Sequence, residues 1–241
     1  SMKIVIASIA IPGTVGGAEY LLQDLSKALE SAGNSVSHFQ LPFSAIPKAE
    51  VLRHALLWRN AEIEKELNDS YDLVIATKFP SYLIPSKRKR LWLIHQFRQV
   101  YDLFGTRFSD FTDSDQDIVL RESIYKADRT AFAEFEKIFT ISERVSDRLS
   151  VYNRVTSEAL LPPLPRVGDY YQDKSEPYIL SVGRLCSIKR VDLLIQSLPK
   201  IDETLLVKIV GVADEPFIEN YLQSEVRKHG LGHRVQFLGR V

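Results

Sequence analysis

Apolar residues occur in short runs that alternate with longer amphipathic stretches from the start of the chain. The first run predicts a strand over residues 3–8, and a glycine-containing loop follows at 11–16. Leucines at helical spacing then predict a helix over 18–32, which Gly33 ends by supplying a left-handed residue. A second strand is expected at 35–41. This alternation is typical of βαβ units that form a parallel sheet.

The same pattern continues as far as residue 161. Further strands are predicted at 73–76, 91–95 and 138–141, and helical stretches at 48–68 and 114–135. Ser142 is placed to cap a helix that runs to Leu149, because its hydroxyl can accept from the free amides of the first turn. Residues 2–161 are therefore predicted to form an N-terminal Rossmann-like domain.

Residues 162–176 are first proline-rich and then polar, which is typical of an interdomain linker. The alternation then restarts, with strands predicted at 178–182, 205–210 and 235–238 and helices at 190–198 and 216–228. Three strands are fewer than the five or six usual in a doubly wound sheet. We therefore expect residues 177–241 to be the first part of a second α/β domain.

Composition and charge exclude several classes of protein. Hydrophobic residues make up 45% of the chain and charged residues 26%, and the formal net charge is zero, so nucleic acid is not an expected partner. One cysteine, Cys186, excludes an internal disulfide and favours the cytoplasm. No apolar run reaches the roughly 18 residues that span a bilayer. The basic run at 86–90 leaves two interpretations open, a solvated strand entry or contact with the inner face of the membrane.

Two loops carry the candidate chemistry. In the first, Gly16 and Gly17 open directly into a helix, so that backbone amides can face an anion. This loop lacks the glycine spacing of a nicotinamide-binding site and the ending of a P-loop. In the second, Gly183 follows a strand and precedes Arg184 and Lys189, two cations that can converge on a diphosphate. An ordinary tight turn and a solvated basic turn remain the alternatives.

The order and content of these segments resemble glycosyltransferase family 4. The matching segments are 15–19, His95 at a strand end, the prolines of 162–165, 182–185 with Lys189 and Leu193, Val210 with Gly211, and 235–239. The resemblance implies an α/β protein of the GT-B fold, in which two Rossmann-like domains have parallel sheets. It also implies transfer with retention of the anomeric configuration, without a required metal or other cofactor.

The resemblance also implies roles for individual residues. Arg184 and Lys189 correspond to the pair that holds the donor diphosphate, and His95 to a histidine near the transferred sugar. The other implied donor-site residues are Gly16, Gly17, Gly183 and Gly211. The implied acceptor-side residues are Gln96, Arg98 and Tyr101.

The chain departs from the family pattern at three places. Arg190 stands where the family usually has glycine, and Asn34 and Ser35 stand where it has histidine and glutamate. Two glutamates that contact the donor in the family would lie after Val241. We therefore expect residues 1–241 alone to be weakly active or inactive, and to self-associate through the incomplete second domain.

These observations predict an enzyme that moves a sugar from a nucleoside-diphosphate donor to a hydroxyl of a saccharide or lipid-linked acceptor. A role in the synthesis of cell-surface polysaccharides or glycoconjugates is expected. Two other functions stay open at this stage. One is a non-catalytic module that binds a nucleotide or a glycan, and the other is a sugar-nucleotide epimerase.

Overall fold

The computed structural model describes residues 1–11, 16–165 and 167–241, and the chain divides into two compact units. Unit 1 comprises Ser1–Val167 and unit 2 comprises Gly168–Val241. The division falls inside the segment that the sequence predicts to be a linker. Each unit contains its own parallel sheet and its own apolar core.

The strands are β1 Lys3–Ala10, β2 Ser35–Pro42, β3 Leu73–Lys78, β4 Lys89–His95, β5 Ile138–Thr140, β6 Glu158–Ala159, β7 Tyr178–Val182, β8 Leu206–Val210 and β9 Val235–Gly239. The helices are α1 Gly17–Ser31, α2 Glu50–Arg59, α3 Ile63–Leu67, α4 Asp115–Ala133, α5 Glu143–Asn153, α6 Val191–Ser197 and α7 Ile218–Lys228. The sheet of unit 1 has the order β2-β1-β3-β4-β5-β6, and that of unit 2 has the order β7-β8-β9.

Local capping explains where two helices of unit 1 begin. The Ser142 hydroxyl accepts from the amide of Val145 over 3.3 Å, which confirms the predicted cap of α5. The Ser114 hydroxyl makes the equivalent bond with Asp117 at the start of α4. In both cases the cap satisfies an amide that has no partner within the helix.

The single helical stretch predicted at 48–68 is wrong, because the structure has two helices there. The side-chain amide of Asn60 donates to the carbonyl of Leu56 over 2.7 Å, at the end of α2. Ala61 and Ile63 then turn into the core, where they are 6% and 2% exposed. The prediction also missed β6, a two-residue strand that pairs with β5.

Central strands buried on both faces form the core of unit 1. Side chains that are fully buried or nearly so include Ile6, Leu91, Leu93, Trp58 and Tyr82. In unit 2, apolar residues of α6, β8 and α7 pack together in the same way. Burial of one such aliphatic side chain stabilises a fold by roughly 1.5–3 kcal/mol, so these contacts fix both sheets.

Three of the four cations in the basic run at 86–90 pair with acidic residues of the same unit. Arg88 lies 3.0 Å from Glu64, and Arg90 lies 2.6 Å from Glu136. Lys89 is not the solvated residue that the sequence suggests, because its side chain is 2% exposed and lies 2.6 Å from Glu134. Lys87, which is exposed and has no ion pair among the described residues, is therefore the free positive charge that the run keeps for anionic lipid. Among the helices in the described part of the chain, none has the length and apolarity needed to cross a membrane.

Candidate functional site

The carboxyl ends of β3 and β4 place Lys78 beside His95 in unit 1. These two residues are partners in the register of the parallel strands. Near the end of β1, Gly16 caps α1, and its amide donates to the Glu19 carboxylate over 2.8 Å. An anion can reach that amide only by displacing Glu19. Gly17 is exposed and begins the helix, whereas the loop residues 12–15 lie outside the described residues.

His95 is held as a neutral imidazole of defined tautomer. Its Nδ1 lies 2.7 Å from the main-chain carbonyl of Gln96. A carbonyl can only accept, so Nδ1 donates and Nε2 keeps its lone pair. Burial lowers the pKa of His95 to about 4, and the charges of Lys78, Arg148 and Arg98 act in the same direction. At neutral pH, Nε2 can therefore accept a hydrogen bond from a hydroxyl group.

Arg98 and Arg148 share the carboxylate of Asp102 close to His95. Arg98 binds it through Nε at 3.0 Å and Nη2 at 2.6 Å, and Nη1 of Arg148 lies 3.5 Å from it. Burial acts to raise the pKa of Asp102, but the bonds and charges of the two arginines hold this pKa below its ordinary value. The Nε of Arg148 is buried and has no acceptor in the described structure. The surroundings of His95 are therefore positive.

Gln96 and Tyr101, two of the three residues implied on the acceptor side, point into the interior. They are 1% and 3% exposed. The Gln96 amide donates to Asn153 over 2.9 Å, and the Asn153 amide donates to the Tyr101 hydroxyl over 3.0 Å. Arg98, the third of these residues, keeps 33% of its side chain exposed.

A buried carboxylate anchors this chain of hydrogen bonds. The hydroxyls of Tyr101 and Tyr82 donate to Asp128 over 2.6 and 2.8 Å, and Asp128 is fully buried. Sequence reasoning missed Asp128, although a signal was present. It is four residues from both Ile124 and Phe132, so it lies on the buried face of α4.

In unit 2, Gly183 and Gly211 allow the ends of β7 and β8 to approach closely. Their φ angles are +155° and +150°, a region that favours glycine. A Cβ atom on Gly211 would lie 1.8 Å from the carbonyl oxygen of Gly183. Beyond this point the amide of Leu185 donates to the carbonyl of Val212 over 2.8 Å, so the two loops continue side by side.

The loop between β7 and α6 carries Arg184 and Lys189, both exposed. Arg184 forms an ion pair with Asp214, and both side chains are more than a third exposed, so solvent weakens this pair. The amide of Ser187 donates to Glu215 over 2.9 Å and fixes the middle of the loop. Lys189 ends a short 3-10 turn and has no ion pair within the described residues. It is therefore available to bind an anion.

Arg190, which replaces the glycine usual in the family pattern, adopts the conformation that favours glycine. Its φ is +52° and its ψ is +40°, in the left-handed region. Its guanidinium binds the carboxylate of Asp192 at 3.0 and 3.2 Å. The turn therefore forms with arginine in the left-handed region, and a side-chain ion pair supports it. Of the residues that the structure describes, no three His, Cys, Asp or Glu side chains are grouped to hold a metal ion.

Comparison with solved structures covers the whole chain. The alignment with sucrose-phosphate synthase from Thermosynechococcus elongatus covers 100% of this chain and 71% of the synthase chain, with 16% identity and a TM-score of 0.70. Anabaena HepE, solved with UDP and glucose, matches 100% of this chain and 70% of its own, with 16% identity and a TM-score of 0.59. This chain has the GT-B fold. The predicted α/β fold class is thus confirmed.

A third solved structure and a family model agree with the GT-B fold. A glycosyltransferase from Rickettsia africae ESF-5 covers 100% of this chain and 68% of its own, with 14% identity and a TM-score of 0.61. Residues 169–241 match the family model described as Glycosyl transferases group 1. That segment includes Gly183, Arg184, Lys189 and Gly211. No curated protein matches the sequence significantly.

Proposed function

We propose that this protein is a glycosyltransferase of family 4 that transfers a sugar from a nucleoside-diphosphate donor to a hydroxyl group. The observation that carries the proposal is the loop from Gly183 to Lys189, which presents two exposed cations within the segment that matches the family model. The solved structure of HepE with UDP and glucose supports a donor of the UDP-sugar class.

The proposed role of Arg184 and Lys189 is to stabilise the departing diphosphate. When the bond between the anomeric carbon and the diphosphate oxygen breaks, negative charge develops on that oxygen. A planar guanidinium and a mobile ammonium suit this anion, and their effect is greatest where charge develops. In this mechanism Arg184 exchanges Asp214 for the diphosphate, an exchange that costs little because both partners are exposed.

His95 is proposed to orient the transferred sugar. Its neutral imidazole has Nε2 free to accept from a sugar hydroxyl, because Nδ1 is bonded to the Gln96 carbonyl. Arg98 is proposed to contact the acceptor, because it keeps 33% of its side chain exposed while Gln96 and Tyr101 are buried. We propose a saccharide or lipid-linked acceptor, retention of configuration at the anomeric carbon, and a cytoplasmic location. NMR of the product during the first turnovers would identify its anomeric configuration.

Charge-removing variants test the diphosphate site. A panel of UDP- and GDP-sugars would first identify the donor by the thermal stabilisation that binding produces. Arg184→Ala and Lys189→Ala should then each lower turnover by about 10² or more, the scale for loss of a preorganised charge.

Lys200→Ala is the matched control, since Lys200 is an exposed lysine of the same unit that belongs to a different turn. Its turnover should stay close to that of the wild type. Turnover of both loop variants within a few-fold of the control would show that this loop does not serve the leaving group. Isomerisation of the donor sugar without an acceptor would instead favour the epimerase alternative.

A further inference from the structure

Unit 1 contains a polar cavity that the proposed reaction does not use. Its volume is about 440 Å³, and it lies between α4 and the C-terminal end of α5. The lining residues are Tyr125, Arg129, Tyr152, Asn153 and Arg154. Clefts of this size hold small ligands of the monosaccharide to disaccharide class.

The charge of this cavity is positive. Arg129 and Arg154 are exposed, and neither side chain forms an ion pair with a residue that the structure describes. The lining includes no carboxylate. Two guanidinium groups facing one cavity provide fixed forks of N–H donors, which match a phosphate or a carboxylate.

The other walls suit a sugar ring. Tyr152 is 41% exposed, so its ring offers an apolar face at the cavity. Tyr125 is stacked on Tyr101 with ring centroids 4.7 Å apart, and its hydroxyl donates to the Val100 carbonyl over 2.9 Å. Its position is therefore fixed before a ligand binds. The Ser150 carbonyl accepts from the Arg154 amide, whereas the carbonyls that follow it in α5 have no partners within the helix and can accept from sugar hydroxyls.

Asn153 joins the cavity to the surroundings of His95. Its side chain accepts from Gln96 and donates to Tyr101, which leaves one amide hydrogen for a ligand. A ligand bound here would therefore contact Asn153, which accepts from Gln96 directly after His95 at the end of β4.

We propose that this cavity is a binding site for an anionic saccharide, a hexose that carries a phosphate or a carboxylate. The two arginines bind the anion, the Tyr152 ring packs against the sugar, and the helix carbonyls accept from its hydroxyls. The site belongs to unit 1 and shares no residue with the diphosphate loop of unit 2. A test of this site is therefore independent of a test of the proposed transferase reaction.

Binding to the full chain tests the site without an activity assay. Calorimetry and saturation-transfer NMR would compare glucose 6-phosphate and glucuronate with glucose and inorganic phosphate. One of the two anionic sugars should bind at least about tenfold more tightly than glucose and phosphate, because anion and ring are recognised together. The better of the two identifies the anionic group.

Matched variants locate the binding. Arg129→Gln and Arg154→Asn should each weaken it about tenfold or more, and asparagine tolerates the left-handed backbone of Arg154, whose φ is +56°. Tyr152→Ala should weaken it as well. Arg144→Gln, which removes an exposed arginine at the other end of α5, and the double variant Arg184→Ala/Lys189→Ala should bind as the wild type does.

Three results would overturn the proposal. These are equal affinity for inorganic phosphate and the anionic sugars, failure of both anionic sugars to bind, and binding that the cavity variants leave unchanged. Tryptophan fluorescence of each variant verifies that unit 1 is folded, because Trp58 and Trp92 both lie in it.

Discussion

At the scale of single residues, Arg190 shows how a side chain can stand in a turn that favours glycine. Its left-handed backbone costs roughly 1–2 kcal/mol in a residue with a Cβ atom, and its ion pair with Asp192 offsets part of that cost. Two substitutions separate the effects, because both remove the ion pair. Arg190→Asn places a residue that tolerates this conformation, whereas Arg190→Val places a β-branched one.

We expect Arg190→Val to be less stable than Arg190→Asn by about 1 kcal/mol. Hydrogen exchange of the α6 amides, which follow this turn directly, measures the difference. Equal protection in the two variants would mean that the turn adjusts its backbone at no cost.

Gly211 and Gly183 form a second matched pair at this scale. Both have φ near +150°, but a Cβ atom on Gly183 would meet no atom within 4 Å, while one on Gly211 would clash with the Gly183 carbonyl. Gly183→Ala should cost roughly 1–3 kcal/mol from backbone strain. Gly211→Ala should cost roughly 1–3 kcal/mol more because the strand ends must separate.

Hydrogen exchange of the amides that join β7 to β8 would report both costs. The faster exchange is expected in Gly211→Ala. If exchange were faster in Gly183→Ala, backbone strain and not the close approach of the two strand ends would explain why position 211 is glycine.

At the scale of elements, α4 is fixed to its neighbours by the buried carboxyl of Asp128. Burial raises the pKa of Asp128 from 3.8 to about 7, although bonds from Tyr101 and Tyr82 oppose the rise. Because the folded protein holds the proton more tightly, the contribution of Asp128 to stability is complete below about pH 4. It is lost as the pH rises through 7.

Asp128→Asn removes this titration but keeps a group that can bond to both tyrosines. Between pH 5 and 8 the wild type should lose on the order of 2 kcal/mol of unfolding free energy relative to Asp128→Asn. Urea denaturation followed by tryptophan fluorescence reports unit 1 directly. His95 titrates in the opposite sense in both proteins, so it cancels in the comparison. Parallel pH profiles would contradict an elevated pKa of Asp128.

At the scale of the whole molecule, the formal net charge is zero, so any binding of an anion must depend on the local placement of charge. In the proposed reaction, Arg184 and Lys189 provide two positive charges for the departing diphosphate. We therefore expect activity with the cognate donor to be largely unchanged by EDTA, with EDTA saturated by Ca²⁺ as the control. Loss of activity that Mn²⁺ or Mg²⁺ restores would show that a metal performs the role proposed for the two cations.

The sequence by itself determined the order of the strands and helices apart from β6 and the division between α2 and α3, and it also determined the Ser142 cap and the Gly183 turn. Each of these features depends on residues close together in the chain. Apolar spacing and capping chemistry act over one or two turns, so they can be recognised without knowledge of the fold. The α/β class with parallel sheets was predictable for the same reason, whereas the GT-B fold was implied only by the resemblance to glycosyltransferase family 4. The identity of the loop cations, Arg184 and Lys189, was also a local feature.

Only the tertiary structure decided which polar residues are buried and what they bind. Lys89 belongs to a basic run yet lies in the interior beside Glu134, and Asp128 lies in a charged helix yet receives two tyrosine hydroxyls. The cavity of Arg129 and Arg154 likewise depends on how α4 meets the end of α5. Such environments arise from contacts between residues far apart in sequence, so desolvation and pairing are fixed only when the elements pack.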